Sequence, residues 1–201
     1  MSLRTVLPLA IVMVAGPQFL SAIFLATSGR WRRNSAAYLL GAALSISLVV
    51  GIVYVSGIEF AGGDRSRPVL EAVAVAAIVL AVGYVFWTRE TAEPPEWMGR
   101  LGTASPRFSF RLGFLLLGFF PTDLLTSAAV GSFLAAEGRP WTDALGFVAA
   151  TLLLLALPSL AVLTLGERAE QALPRVRDAM ETNAWLVNEA VLLFFLVLVV
   201  T

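Results

Sequence analysis

The sequence predicts an all-α integral membrane protein with six transmembrane helices, arranged as two inverted three-helix repeats. Three observations carry this. Of the 201 residues, 58% are hydrophobic and 14% charged, and a mean hydropathy of +0.83 lies outside the balance of soluble domains. Six apolar runs are each long enough to cross a hydrocarbon core of ~30 Å. Two of them are interrupted by proline in corresponding places, Pro17 in the first and Pro121 in the fourth. Paired interruptions of this kind mark the midplane binding site of carriers built from inverted repeats.

In chain order the runs are about 4–27, 35–57, 68–88, 111–135, 143–166 and 184–201. They are continuously apolar, which excludes the alternation of a β-barrel. The first opens like a signal peptide, with Arg4 ahead of an apolar stretch that reaches Val14-Ala15-Gly16. Its apolar character continues past Pro17 to about Thr27, so a retained span is expected. The second run carries Ala37, Gly41 and Ser45 at four-residue spacing and the fifth Gly146 and Ala150, small residues that suit close helix packing. Pro158-Ser159 in the fifth run is a kink candidate. Glu71, Asn188 and Glu189 are expected at the interface.

The chain divides into a first repeat over 1–88, a linker over 89–110 marked by Pro94-Pro95 and mixed charge, and a second repeat over 111–201. Three spans per half is an odd number, so related halves must cross in opposite senses. Pro17 precedes Gly41 by 24 residues and Pro121 precedes Gly146 by 25, a register that one gap reconciles. A segment at about 167–183, with Leu173, Val176 and Met180 among charged neighbours and Pro174 in its first turn, is expected to form an amphipathic surface helix. All 14 basic residues are arginine. Ten of them flank connections 1–2, 3–4 and 5–6, and four lie on the other side. The arginine-rich connections are therefore expected in the cytoplasm and both termini outside.

The candidate site is built around Asp123. An ionised acid near a bilayer centre costs ~3 kcal/mol by insertion scales, so its presence there calls for a function. Thr126 and Ser127 follow at i+3 and i+4 and share its helical face. Gln18 and Ser21 follow Pro17 in the first half and can face that stripe. Each proline withholds one backbone donor and frees a carbonyl, that of Leu117 in the case of Pro121. No basic residue lies near the membrane centre, so Asp123 must be protonated, hydrated, or paired with a transient cation. The alternative is a structural lock in which Asp123 bonds the Leu117 carbonyl or Gln18.

Several function classes lack their parts. The chain has no Cys and no His, which removes thiol chemistry and the commonest metal ligand and proton shuttle. No Walker motif, HExxH or Ser/His/Asp set is present, and carboxylates are not clustered. No enzyme, cofactor, metal site or nucleic-acid partner is expected.

The pattern Ala15-Gly16-Pro17-Gln18, with Leu25, Gly29-Arg30, Arg32-Arg33-Asn34-Ser35-Ala36 and Leu40-Gly41-Ala42-Ala43-Leu44, resembles the lysine exporter superfamily of small six-helix carriers. The stretch Arg111-Leu112-Gly113-Phe114 through Phe120-Pro121 resembles its second-half signature. Where that superfamily commonly has Asn-Pro-Lys, this chain has Phe120-Pro121-Thr122-Asp123, and the better match is the GAP-type, sulfolipid-addressing branch. The resemblance implies two inverted three-helix repeats and movement of glycolipids or related envelope molecules, with Pro17, Gln18, Pro121 and Asp123 as its candidate residues.

The expectation is thus a secondary transporter in the cell membrane, an exporter of a small amphipathic or envelope-lipid-related solute that can couple to protons. Its partners would be the bilayer, the solute and other copies of itself. The rival expectation is a non-transporting scaffold or accessory subunit of an envelope-lipid export pathway.

Overall fold

The computed structural model describes residues 3–56 and 101–182. The third and sixth apolar runs, most of the linker, and Glu71, Asn188 and Glu189 lie outside those residues. The described chain forms α1 (Leu3–Val14), α2 (Pro17–Ala26), α3 (Trp31–Ser56), α4 (Pro106–Phe119) and α5 (Pro121–Ala136). A 3-10 turn (Trp141–Ala144), α6 (Leu145–Leu165) and α7 (Glu167–Thr182) follow.

Each proline-broken run is two helices meeting at an angle. α1 and α2 are bent by 70° and α4 and α5 by 67°. The prolines do not sit inside a continuous helix; each occupies the first position of a new one. There the missing N–H would have had no intrahelical partner, and the fixed φ suits the helix. What stops the preceding helix is the residue before proline. Phe120 is extended at φ −68° and ψ 129°, the region to which a pre-proline residue is driven. Gly16 sits at φ 96° and ψ −140°, where a Cβ is not tolerated without strain.

α4 starts at Pro106, five residues ahead of the expected span. Ser105 is its N-cap, accepting from the Phe108 N–H at 3.3 Å, and Pro106 is its first helical residue. α5 closes with a turn in which Arg139 N–H reaches the Leu134 carbonyl at 2.9 Å and Gly138 N–H the Ala135 carbonyl at 3.1 Å, the paired bonds of a Schellman cap. α6 continues through Pro158, and the Ser159 hydroxyl donates to the Ala156 carbonyl at 2.9 Å.

α3 runs in the same sense as α4 and then α5. Tyr38 and Gly41 meet Gly113, Phe110 and Phe114, Ser45 meets Gly118, and Val50 meets Gly131, so residue numbers rise together along the seam. Ser56 and Leu101 therefore lie at opposite ends of α3. The contact is close because it is made of glycines. A Cβ on Gly41 would strike the Phe110 carbonyl, and one on Gly113 the Tyr38 carbonyl. Where lipid tails are as apolar as leucine, such fit is what holds helices together. Gly113→Val is expected to lower the thermal midpoint of the purified protein, by overpacking worth about 1–3 kcal/mol. An unchanged midpoint would refute the seam. Among the described residues nothing lies within 4 Å of where a Cβ on Gly146 would be, so the close backbone contact made at Gly41 has no counterpart there within those residues.

The main core joins Met13, Leu25, Tyr38, Ile46, Leu117, Leu134 and Phe147. A second, smaller one places Ala169 and Leu173 of α7 on Ile23, Ala26 and Val162. The Arg177 guanidinium lies 4.8 Å from the centre of the Phe24 ring. Pro174 falls in the middle of α7, not its first turn, and Val176 is exposed. The buried stripe is set by Ala169 and Leu173, because the helix begins directly at Glu167.

These contacts sort the arginines. Asn34 Nδ2 donates to the Ala104 carbonyl at 3.0 Å, so the starts of α3 and α4 share one end with α7 and the close of α2. That end carries Arg30, Arg32, Arg33, Arg107, Arg111, Arg168, Arg175 and Arg177. At the other end Trp141 lies by Gly51, and Arg139 pairs with Asp143 at 2.8 Å.

Candidate functional site

The two breaks face each other. Pro17 starts α2, which makes Gln18 its second residue, and Pro121 starts α5, which puts Asp123 third. Gln18 Nε2 donates to Asp123 Oδ2 at 2.6 Å across 105 residues of chain. Both side chains are fully buried. Of the partners weighed for Asp123, the geometry gives Gln18. The Thr122 hydroxyl adds a long bond to Asp123 Oδ1 at 3.5 Å.

The helix starts supply the electrostatics. The first turn of a helix presents unpaired N–H groups and a partial positive charge, which favours an acid by about 0.3–1 kcal/mol. Asp123 sits in such a turn. Tyr38 of α3 holds the opposite side, donating its hydroxyl to the Gln18 carbonyl at 2.9 Å. Gln18 thereby ties three helices together, with Nε2 on α5 and its main chain on α3. Its Oε1 has no hydrogen-bond partner among the described residues, so one buried acceptor remains available beside the carboxyl group.

The other predicted residues are close by but engaged elsewhere. The Ser21 hydroxyl donates to the Pro17 carbonyl at 2.6 Å and that of Thr126 to the Thr122 carbonyl at 2.7 Å. Both turn back on their own helices, a common habit of hydroxyls in apolar surroundings. The Ser127 hydroxyl meets the Met13 thioether at 3.8 Å. All three are buried. The expected stripe of hydroxyls facing Gln18 therefore reduces to the Gln18–Asp123 pair, with the hydroxyls serving the helix ends around it.

Sequence reasoning missed Tyr38, Thr122 and Met13. Tyr38 had a signal, a phenol inside an apolar run that needs a partner when buried. Met13 had none. Replacing Tyr38 by Phe is expected to lower stability by about 1 kcal/mol through the lost bond, readable as a fall in thermal midpoint. No change would show that this bond does not hold α2 to α3.

Among the described residues no group of three or more His, Cys, Asp or Glu could hold a metal ion. α3 and the Trp141–Leu165 segment are long and apolar enough to span a bilayer, with mean hydropathies of 2.2 and 2.3. The bent pairs pass the same test when each is taken as one span or a re-entrant loop. The class so defined is a helical membrane protein in which two broken helices press a buried amide against a buried carboxyl group. Within that class the chain belongs to the family described as Sap, sulfolipid-1-addressing protein, which matches residues 6–201. No curated protein and no solved structure matches the chain.

Proposed function

We propose that this membrane protein is a secondary transporter, an exporter of a small amphipathic or envelope-lipid-related solute. The observation that carries the reading is the buried contact of Gln18 with Asp123 at the junction of two broken helices. A carrier needs a polar group at membrane depth that either side can reach in turn, and discontinuous helices are how such groups are placed there. The family name points to lipid handling in the envelope. Asp123 would bind the solute or carry a proton, with Gln18 as its partner and Ser21, Thr126 and Ser127 around them.

The proposed architecture is six spans in a 3+3 inverted repeat of the lysine exporter and GAP type, acting without catalysis. The near-equal bends of 70° and 67° support it. So does the parallel course of α3 and α4, which one further crossing between them would produce. The gathering of arginines at one end supports a cell-membrane topology with connections 1–2, 3–4 and 5–6 in the cytoplasm.

The test is reconstitution of the purified chain into liposomes, with flux measured for labelled lipids and small amphipathic solutes under an imposed pH gradient. Solute-dependent flux that Asp123→Asn abolishes is expected. Absence of flux from every set, with a second protein co-purifying, would replace the carrier by an accessory subunit.

A further inference from the structure

We propose that the α2–α3 turn and the outer face of α3 form a binding site for an anionic lipid, with the headgroup phosphate or sulfate on Arg30, Arg32 and Arg33. This site is separate from the Gln18–Asp123 pair and does not depend on its role. Gly29, Arg30, Trp31, Arg32 and Arg33 line a cavity of about 260 Å³. All three arginines are exposed and Trp31 is half-buried. The Arg32 guanidinium lies 5.2 Å from the centre of the Trp31 ring, which holds it over the cavity mouth by a cation–π contact. No carboxylate among the described residues pairs with the three arginines. Arginine forks match the oxygens of a phosphate or sulfate group, two bonds at a time.

A further feature separates a lipid from a free anion. Arg32, Ala36, Leu40, Leu44, Leu48 and Ile52 follow one another at four-residue spacing and are all exposed, Leu40 and Ile52 each by 64%. They make a ridge that winds round α3 by about 40° at each step. At 1.5 Å per residue it runs roughly 30 Å from the guanidinium, the thickness of the hydrocarbon core. A headgroup on the arginines would therefore lay its acyl chains along this inclined apolar ridge, with Trp31 at the interfacial level where its ring is favoured. Inorganic phosphate or sulfate would use only the first turn.

The experiment is quenching of Trp31 fluorescence in phosphatidylcholine vesicles that hold the full chain and a small fraction of brominated lipid. The Trp31 signal is isolated by difference against Trp31→Phe. Brominated phosphatidylglycerol is expected to quench several-fold more than brominated phosphatidylcholine at the same fraction, since each arginine near the surface favours an anionic lipid. Arg30→Gln/Arg32→Gln/Arg33→Gln should bring the two lipids level, and Arg168→Gln/Arg175→Gln, which removes charge at the same end, should not. Arg32→Gln alone is read instead where the triple variant loses its helical circular dichroism, and a partial loss of the preference is expected. Equal quenching by the two lipids in the wild type, equal losses in both variants, or displacement of the lipid by glycerol phosphate in the buffer would each overturn the proposal.

Discussion

Asp123→Asn is expected to cut transport by at least ~10-fold, a barrier change of about 1.4 kcal/mol, and to leave the fold in place. The asparagine oxygen can still accept from Gln18 Nε2, so the 2.6 Å contact between α2 and α5 has a neutral substitute. What the substitution removes is the exchangeable proton and the negative charge. Any dependence of flux on the pH gradient should vanish with it, while the thermal midpoint stays near that of the wild type. Asp123→Ala is different, because Gln18 Nε2 would then be buried with no acceptor, at a cost of about 1–3 kcal/mol. Asn retaining full, pH-dependent flux would confine Asp123 to a structural role. A midpoint that falls alike for Asn and Ala would show that the charge itself stabilises the fold.

Gly16→Ala is expected to be strongly damaging although it adds a single methyl group. At φ 96° and ψ −140° the backbone is in a region that glycine alone enters freely, and forcing a Cβ there costs of order 1–3 kcal/mol. The larger effect is geometric. Gly16 and Ala15 are all that separate α1 from α2, so relaxing φ to negative values would re-aim α2 and carry Gln18 away from Asp123. Both the thermal midpoint and the flux should fall. Gly29→Ala, in the next turn of the chain, meets nothing within 4 Å and should leave both unchanged. Equal behaviour of the two variants would show that the 70° bend does not depend on Gly16.

The all-helical character, the interrupted first and fourth runs and the closeness of Gln18 to Asp123 could be read from the sequence. Proline followed by a polar residue in an apolar run is a strong local signal, and burial leaves such residues little choice but each other. The early start of α4 was harder to see. Ser105-Pro106 is a good helix start, but it stands beside charged and proline-rich sequence whose composition reads as linker. The hydroxyls of Ser21 and Thr126 turned back on their own helices, a rotamer choice that spacing cannot encode. Val176 shares a period with Leu173 but not its buried face, since which stripe is covered depends on how α7 docks on Ile23 and Ala26. A glycine is required only where another backbone comes close, and among the described residues Gly41 has such a neighbour where Gly146 has none.

The junctions at Gly16 and Phe120 have a mechanical consequence. Among the described residues no main-chain hydrogen bond runs from α1 directly into α2, or from α4 directly into α5. At the first break the Ala15 N–H bonds back to the Ile11 carbonyl and the Leu20 N–H to that of Gly16; at the second the Phe120 N–H bonds to the Leu116 carbonyl and the Leu124 N–H to that of Phe120. Each junction is therefore a swivel with no backbone bond to rupture when its angle changes. What holds the half-helices at their angles is packing on their neighbours, and the strut that joins one break to the other is the bond between an amide and an acid.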